Sequence, residues 1–217
     1  TSVFEGILKS KRDVVYLGFS SALSGNYQTG CIAKNELDGK YSNQIYCVDT
    51  LAAAGGQTLV IREAAKRKAK GYTAEQLVEW AQEFRKHVVH WFTVDDLMYL
   101  KRGGRVSAAT AVVGTMLQIK PIITFAPDGQ LQSVAKVRGR HQVMRKLVDM
   151  AVDRCGEHKR YNLAVAHGGA PEEMETVRQM LTEALPNSDH LWDGEIDGTL
   201  SVYIGDGVLG AAVQVLD

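Results

Sequence analysis

The centre of this chain reads Asp95-Asp96-Leu97-Met98-Tyr99-Leu100-Lys101-Arg102-Gly103-Gly104-Arg105. Leu97 and Leu100 lie three positions apart, a spacing that predicts a helix. The Gly103-Gly104 pair predicts the end of that helix, because glycine tolerates the backbone conformation that closes a last turn. Two cations, Lys101 and Arg102, fall in this last turn, where positive charge suits the helix dipole.

A β-hairpin is predicted after this helix. Ile119–Phe125 and 130–137 are runs rich in apolar and β-branched residues, and they flank Asp128-Gly129, a strong turn signal. An apolar segment rich in Ala, Val and Gly covers 108–118, and the hairpin ends in Lys136-Val137-Arg138-Gly139-Arg140. Positive charge therefore brackets an apolar segment from both sides, a combination that suits a ligand with an anionic head and an apolar body.

Strands and helices alternate on both sides of this centre, which predicts an α/β fold. Before it we predict a short helix ending near residue 11, strands at 14–19, 45–48 and 88–94, and helices at 26–37, 52–70 and 73–86. After it we predict helices at 142–155 and 171–185, strands at 161–166, 190–192 and 208–216, and a loop over 199–207. The first half predicts a parallel sheet layered by helices. We place a domain boundary near residue 90, which gives an N-terminal domain over 1–90 and a C-terminal domain over 91–217.

Composition excludes several classes of protein. Lys and Arg number 25, as do Asp and Glu, so the net charge is zero, whereas a general binder of nucleic acid or anionic membrane is usually basic. No apolar run approaches the length of a membrane span. The three cysteines form no C-x-x-C pair, which favours free thiols in a reducing compartment and predicts a cytoplasmic protein. The chain starts at Thr1 without Met or a targeting pattern, so we expect upstream residues to be missing.

A hydroxyl-rich turn follows the first strand, with the sequence Ser20-Ser21-Ala22-Leu23-Ser24-Gly25. Free backbone N–H groups and serine hydroxyls at a strand-to-helix turn favour an anion. The alternative is that Ser24 only caps the helix that follows. The turn alone leaves both interpretations open.

The same turn also resembles a hydrolase motif. Gly18-Phe19-Ser20-Ser21-Ala22 approaches the G-x-S-x-G nucleophile elbow, although its last glycine is alanine. His167-Gly168-Gly169 could form an oxyanion loop, but such a loop should precede the nucleophile, and His190 is the best candidate for a triad base. A serine esterase using Ser20 or Ser21 is therefore the alternative function.

Three other patterns in the sequence give weaker evidence of function. The 205–210 segment matches G-x-G-x-x-G, but seven residues remain after it, too few for the βαβ unit of a dinucleotide site. The 101–105 segment, Lys-Arg-Gly-Gly-Arg, could bind a phosphate, a carboxylate or a nucleic-acid backbone, or be a solvated charge run. The six histidines show no metal-ligand spacing. We therefore expect no metal and no cofactor.

Taken together, these segments resemble the DegV family of bacterial fatty-acid-binding proteins. The matching blocks, which follow the family order over nearly the whole chain, are 20–25 with Tyr27-Gln28, 95–107, Ile119-Lys120-Pro121-Ile122, 136–140, His167-Gly168 and 205–210. The resemblance implies two α/β domains with a ligand tunnel between them. The N-terminal domain would hold a parallel, Rossmann-like sheet, here truncated, and the C-terminal domain a mixed sheet with helices. A long-chain fatty acid would lie in the tunnel.

The resemblance also implies a role for individual residues. The carboxylate would be bound by Ser21, Ser24, Gly25 and Arg138, and by Tyr203, which stands where the family usually has a histidine. A phenol can hydrogen-bond a carboxylate but does not titrate near neutral pH. Three further residues would support the site or form a partner surface, namely Arg105, Lys120 and His167.

The resemblance finally implies a binding protein that is not itself a catalyst. Some family members are subunits of a fatty acid kinase and present the carboxylate to a separate ATP-dependent kinase, whose acyl phosphate feeds phospholipid synthesis. We expect a long-chain fatty acid as ligand, a fatty acid kinase as partner, and no nucleic acid. The family's N-terminal Asp-Ser motif is absent here, and of its Thr-Ser-x-Pro-Ser loop only Thr1-Ser2 is present.

Overall fold

The computed structural model describes residues 1–106 and 119–216. This part of the chain contains eight helices and eight strands. In chain order they are α1 (Ser2–Lys9), β1 (Val14–Gly18), α2 (Asn26–Leu37), β2 (Ile45–Asp49), α3 (Ala54–Ala69), α4 (Ala74–Phe84), β3 (Val88–Thr93), α5 (Leu97–Arg102), β4 (Ile119–Phe125), β5 (Leu131–Arg138), α6 (Arg140–Cys155), β6 (Tyr161–Gly168), α7 (Pro171–Ala184), β7 (His190–Glu195), α8 (Gly198–Ile204) and β8 (Val208–Val215). The predicted α/β fold class is confirmed. The apolar segment predicted over 108–118 lies outside the described residues.

A small parallel sheet occupies the N-terminal part of the chain. β1 pairs with β2 in parallel, from Val14 opposite Ile45 to Gly18 opposite Asp49. A parallel pair needs a crossover connection, and α2 provides it. Leu8 of α1 and Leu37 of α2 pack with Val14 and Ile45 in a buried cluster. The predicted parallel arrangement of these two strands is therefore present.

A mixed sheet of six strands forms the larger layer, in the order β5-β4-β3-β8-β6-β7. β6 and β7 are parallel, and the other neighbouring pairs are antiparallel. Alternate residues of a strand point to opposite faces. Leu163 and Val213 therefore face α6 and α7 in the main core, whereas Ala164 and Ala212 face Leu59 of α3. Helices cover the sheet on both faces.

Helix α3 packs on the six-stranded sheet, and its link to the small sheet is a hydrogen bond that Nε2 of Gln57 donates to the main-chain oxygen of Leu17 at 3.1 Å. β3 begins at Val88, close to the predicted boundary at residue 90, and belongs to the six-stranded sheet. Helix α3 precedes that boundary but packs on β3, β6 and β8 of the same sheet. The division into 1–90 and 91–217 therefore stays a prediction.

The segment before β8 differs from the prediction. It contains α8 rather than a loop, because Asp197 caps the start of this helix. The Asp197 carboxylate accepts hydrogen bonds from the backbone N–H groups of Thr199 and Leu200 at 2.8 and 3.1 Å. Aspartate is a favoured N-cap residue. Leu200, Tyr203 and Ile204 follow the i, i+3, i+4 spacing of a helix and pack in one cluster. The loop prediction overlooked this spacing, because the helix has only seven residues, begins at Gly198 and is followed by Gly205.

Glycine allows α3 to approach the six-stranded sheet. A Cβ atom added to Gly56 would lie 2.0 Å from Nδ1 of His90, and one added to Gly55 would lie 3.4 Å from Cβ of Ala164. The first distance is a severe overlap, because carbon atoms in contact lie about 3.5–4.0 Å apart. Gly55 and Gly56 therefore permit close packing of α3 on the sheet.

Two helical glycines should respond to alanine in opposite directions. Gly6→Ala should stabilise the fold by about 0.5–1 kcal/mol, since Gly6 has open space around it and alanine favours a helix. Gly56→Ala should instead destabilise it by about 1–3 kcal/mol, because the new methyl group overpacks against His90. Urea unfolding of both variants measures the difference. Equal stabilisation of the two would contradict the close packing of α3.

Candidate functional site

A cavity of about 720 Å³ lies between the six-stranded sheet, helix α3 and the turn over 20–25, which we call the serine turn. Ligand pockets in proteins typically measure about 300–1,000 Å³. Small residues form both of its long walls. On the sheet they are Ala164, Ala166, Gly210 and Ala212, and at the start of α3 they are Ala53, Ala54, Gly55 and Gly56. The cavity therefore exists because the residues that face each other across the two layers are alanine and glycine, whose side chains are too small to fill the gap.

The register of the strands gives the cavity its direction. Phe92, Gly210 and Ala166 lie side by side on β3, β8 and β6, and we call them the near row. His90, Ala212 and Ala164 form the next row on the same face, the far row. Rows two residues apart are separated by roughly 7 Å along the strands. All six residues line the cavity, so it is elongated along the strands.

A third row closes the sheet wall. Its members on β8 and β6, Gln214 and Asn162, are fully buried and joined by a 2.8 Å hydrogen bond. Val88 completes the row on β3. None of these three is among the described residues that line the cavity, so its sheet wall ends at the far row.

The end of the cavity opposite the far row is polar, and we call it the polar mouth. It consists of Ser24, Arg105 and Tyr203. Nε of Arg105 donates a hydrogen bond to the main-chain oxygen of Leu23 at 3.0 Å, and the guanidinium lies 4.2 Å from the Tyr203 ring centroid. Tyr203 belongs to α8, which directly precedes β8. From Val208, where β8 starts, to Ala212 in the far row is roughly 13 Å along the strand.

Hydrogen bonds of Ser20 and Ser21, the first two residues of the serine turn, fix this turn in place. Ser20 is fully buried, and its Oγ donates to the main-chain oxygen of Gly129 in the β4–β5 turn at 2.9 Å. The backbone N–H of Ser21 donates to the Asp49 carboxylate at 3.2 Å. The turn is thereby tied to both sheets.

Ser24 has a part in both interpretations of the turn. Its Oγ accepts a hydrogen bond from the backbone N–H of Asn26, the first residue of α2, at 3.2 Å, although the N-cap residue of this helix is Gly25. Ser24 also lines the cavity. A serine hydroxyl that accepts one hydrogen bond still has its own proton to donate, so this contact leaves Ser24 able to bind an anion.

The structure brings together some of the residues that sequence analysis singled out. Ser24, Arg105 and Tyr203 line the cavity; the described lining does not include Ser21, Gly25, Lys120, Arg138 or His167. The carboxylate-binding roles predicted for Ser21, Ser24, Gly25, Arg138 and Tyr203 all stay predictions.

Arg138, Lys120 and His167 lie elsewhere in the fold. Arg138 is exposed at the end of β5, opposite Ile119. Lys120 forms an ion pair with Asp95 at 2.9 Å. His167 is buried, and its Nδ1 accepts a hydrogen bond from the backbone N–H of Ala170 at 3.2 Å. Their support or partner-surface roles also stay predictions.

His90 lines the cavity, although sequence analysis did not single it out. Its side chain is 8% exposed, and its ring centroid lies 3.8 Å from that of Phe125. Neither ring nitrogen has a hydrogen-bond partner among the described residues. Burial lowers the pKa of His90 to about 3, so the imidazole is neutral at pH 7. A single histidine within a strand forms no motif. The one available signal was strand alternation, which puts His90 on the same face of the sheet as Val88 and Phe92.

The serines do not form a catalytic pair within the described part of the chain. No hydrogen bond there joins Ser20 or Ser21 to a histidine, and the oxygen of Ser20 is already bonded to Gly129. His190, the candidate base, is exposed at the start of β7, where its ring lies 5.0 Å from that of Trp192. A serine nucleophile needs a base within hydrogen-bond reach, so this geometry does not favour the esterase alternative.

Within residues 1–106 and 119–216, no group of three or more His, Cys, Asp or Glu side chains is arranged to hold a metal ion. No helix in this part of the chain is long and apolar enough to cross a membrane.

The chain is thus an α/β protein with an elongated internal cavity that has apolar walls and a polar mouth. The family model described as "Uncharacterised protein, DegV family" matches residues 1–215, and the chain belongs to this family. The DegV domain-containing protein CPE0026 of Clostridium perfringens is 38% identical over 191 residues, which are 88% of this chain and 66% of that protein. This chain thus spans about two thirds of that relative's length.

Solved structures show the same fold. A fatty-acid-binding DegV family protein from Thermus thermophilus matches with a TM-score of 0.89 and 24% identity, over 99% of this chain and 75% of that one. A DegV lipid-binding protein from Thermotoga maritima matches with a TM-score of 0.82 and 26% identity, over 98% of this chain and 74% of that one. The resemblance found in the sequence is therefore confirmed.

Burial of His90 should make stability depend on pH. The unfolded chain binds a proton at this side chain near pH 6.5, whereas the folded protein resists it until about pH 3. The contribution of the neutral His90 to the free energy of unfolding is therefore fully present above pH 6.5. It is lost as the pH drops toward 3, by up to about 1.4 kcal/mol per pH unit.

Replacement of His90 by Gln or by Leu should remove this part of the slope. Urea unfolding between pH 7 and pH 4 measures it in all three proteins. The two variants differ in polarity, so a shared loss of slope isolates the titration from packing changes. Slopes equal to that of the unsubstituted protein would contradict a buried neutral histidine.

Proposed function

We propose that this chain binds a long-chain fatty acid, with the acyl chain along the near and far rows and the carboxylate at the polar mouth. The observation that carries this proposal is the shape and chemistry of the cavity. It is elongated, its long walls are apolar, and a guanidinium and two hydroxyls line one end. The similar proteins from Thermus thermophilus and Thermotoga maritima, described as fatty-acid-binding and lipid-binding, support the same class of ligand.

Burial of the acyl chain supplies the affinity. Each methylene group removed from water contributes roughly 0.8 kcal/mol. The Ala and Gly residues of both rows leave room for the chain, and Phe92, Leu100 and Leu131 add larger apolar surface to the lining. An anion alone would gain nothing from such walls.

Binding of the carboxylate supplies the orientation. Burying a carboxylate is costly unless charged or polar donors compensate for the lost water. Arg105 is positioned for this, because two main-chain oxygens, those of Leu23 and Gly103, accept hydrogen bonds from its guanidinium. A guanidinium has five N–H groups, and bonds from such a cation to a carboxylate are about twice as strong as neutral ones. The hydroxyls of Ser24 and Tyr203 can donate to the same anion.

In this proposal the protein is a carrier and not a catalyst, and it presents the bound carboxylate to a separate ATP-dependent fatty acid kinase. The position of the polar mouth supports this role. Arg105 follows helix α5 closely, and the last turn of that helix carries the exposed cations Lys101 and Arg102. Arg138 is also exposed, at the end of β5. Exposed cations can steer a partner whose docking surface is acidic.

Variants at the polar mouth test binding itself. Titration of delipidated protein with oleate should give an affinity roughly 10- to 100-fold weaker for Arg105→Gln, since bonds to a charged group contribute about 1.5–3 kcal/mol. Ser24→Ala should show a smaller loss. Lys101→Ala is the control, because it removes an exposed cation outside the cavity lining. Arg138→Ala should lose more affinity than this control if Arg138 lies near the head group, as sequence analysis predicts. Failure of the unsubstituted protein to bind oleate would overturn the proposal.

Presentation to a kinase has a separate test. Oleate-loaded protein, incubated with a purified bacterial fatty acid kinase and Mg-ATP, should yield acyl phosphate, which hydroxylamine traps as a hydroxamate. Arg138→Ala should slow this reaction most at low salt, where charge steering is strongest. Absence of hydroxamate from protein that demonstrably carries oleate would remove the kinase role and leave binding intact.

A further inference from the structure

Helix α3 runs along the rows of the sheet, so successive turns of the helix lie over successive rows. Gly55 lies over the far row, since a Cβ atom added to it would be 3.4 Å from Cβ of Ala164. Glu63, two turns later, lies over the third row, where its carboxylate accepts a hydrogen bond from Nδ2 of Asn162 at 3.2 Å. A helix turn rises about 5.4 Å and two strand residues about 7 Å. The turn between these two carries Leu59, which therefore lies where the far row ends.

The side chain of Leu59 fills the space between α3 and the sheet at this level. Leu59 is fully buried and packs in one cluster with Ala164 and Ala212 of the far row, and Val88 and Trp192 pack against the same cluster. Both alanines line the cavity, whereas the other three residues are not among the described ones that do. Between helix and sheet the cavity therefore ends where Leu59 meets the far row.

The space behind Leu59 is polar. Nδ2 of Asn162 donates hydrogen bonds to Glu63 and to Oε1 of Gln214, and all three side chains are buried. Within the described residues, Oδ1 of Asn162 and Nε2 of Gln214 have no hydrogen-bond partner. An acyl chain cannot form hydrogen bonds, so contact with this cluster would leave these atoms unsatisfied. Leu59 thus separates the apolar cavity from a polar part of the interior.

The cavity has a second direction at this end. Thr58 and Ile61 also line it, and Ile61 is 44% exposed. Ile61 lies about 200° around the helix from Leu59, on the outer side of α3. A tail that turned outward here would not meet Leu59. It would also carry its end toward water and lose the gain from burial, which favours a tail that stays between α3 and the sheet.

We propose that Leu59 sets the length of the acyl chain that this cavity accepts, so that its ligands are fatty acids whose tails end at the far row. The inference rests on the fatty-acid-binding function proposed above and adds a choice by chain length. Each methylene group that lies between α3 and the sheet should tighten binding about 4-fold, until the tail reaches Leu59. Further methylenes would have to displace a well-packed side chain or leave the cavity, so they add no affinity.

A mixture of saturated fatty acids measures this limit. Delipidated protein is incubated with equimolar even-numbered acids from laurate to behenate, and native mass spectrometry gives the distribution of bound chain lengths. All variants meet the same mixture, so differences in solubility among the acids cancel when the distributions are compared. For the unsubstituted protein the bound fraction should rise with chain length, reach a maximum and fall for the longest acids.

Variants at Leu59 connect the limit to this side chain. Leu59→Ala shortens the side chain to a methyl group, so the maximum should move by about one two-carbon step toward longer acids. Leu59→Val is a milder truncation that should raise the ratio of longer to shorter acids, and it decides if the alanine variant fails to fold.

Leu181→Ala is the matched control. Leu181 is also buried, but in the main core, on the face of the sheet that α6 and α7 cover. Its truncation should leave a comparable hole and a comparable loss of stability. Because this hole does not meet the fatty acid cavity, the distribution of bound acids should stay that of the unsubstituted protein.

Failure of the inference is distinguishable from failure of the proposed function. Three results would show that Leu59 does not set the length and would leave fatty acid binding standing. They are a bound fraction that rises all the way to behenate, a maximum unchanged in both Leu59 variants, and an equal shift in Leu181→Ala. Failure of the unsubstituted protein to bind any acid of the mixture would refute the proposed function, and the inference with it.

Discussion

The close approach of helix α3 to the six-stranded sheet is the constraint on which the rest of the site depends. Gly56 touches the ring of His90, and Gly55 faces Ala164 across the gap. Larger residues at these positions would separate the layers or fill the space between them. Because both walls are built from small side chains, the layers can meet and still enclose a cavity of about 720 Å³. The same helix joins the N-terminal part of the chain to the sheet of the C-terminal part.

A second feature gives this cavity a polar end. The guanidinium of Arg105 reaches the main-chain oxygen of Leu23 in the serine turn and stacks on Tyr203 of α8. One side chain thus connects the small parallel sheet, the end of α5 and the helix before β8. The buried hydrogen bond from Ser20 to Gly129 adds a second link between the serine turn and the large sheet. Since one residue bridges several elements, small shifts between them would change the geometry offered to a carboxylate.

The sequence predicted the fold better than the site, for physical reasons that particular elements illustrate. The hairpin around Asp128-Gly129 carries a strong local turn signal and was predicted closely. Helix α8 was missed because it is short and bounded by glycines, although Leu200, Tyr203 and Ile204 have helical spacing. Ser24, Arg105 and Tyr203 were named from motifs, whereas His90 carries no motif. Its importance comes from strand register and from Gly56, which lies 34 positions earlier in the chain, and a linear pattern does not contain that contact.

Native mass spectrometry of the purified protein, followed by solvent extraction and lipid analysis, tests the central claim most directly. The account predicts a co-purifying species near one per chain whose extract is a long-chain fatty acid. A protein that shows only its apo mass, and that takes up neither oleate nor palmitate when they are added, would contradict the account.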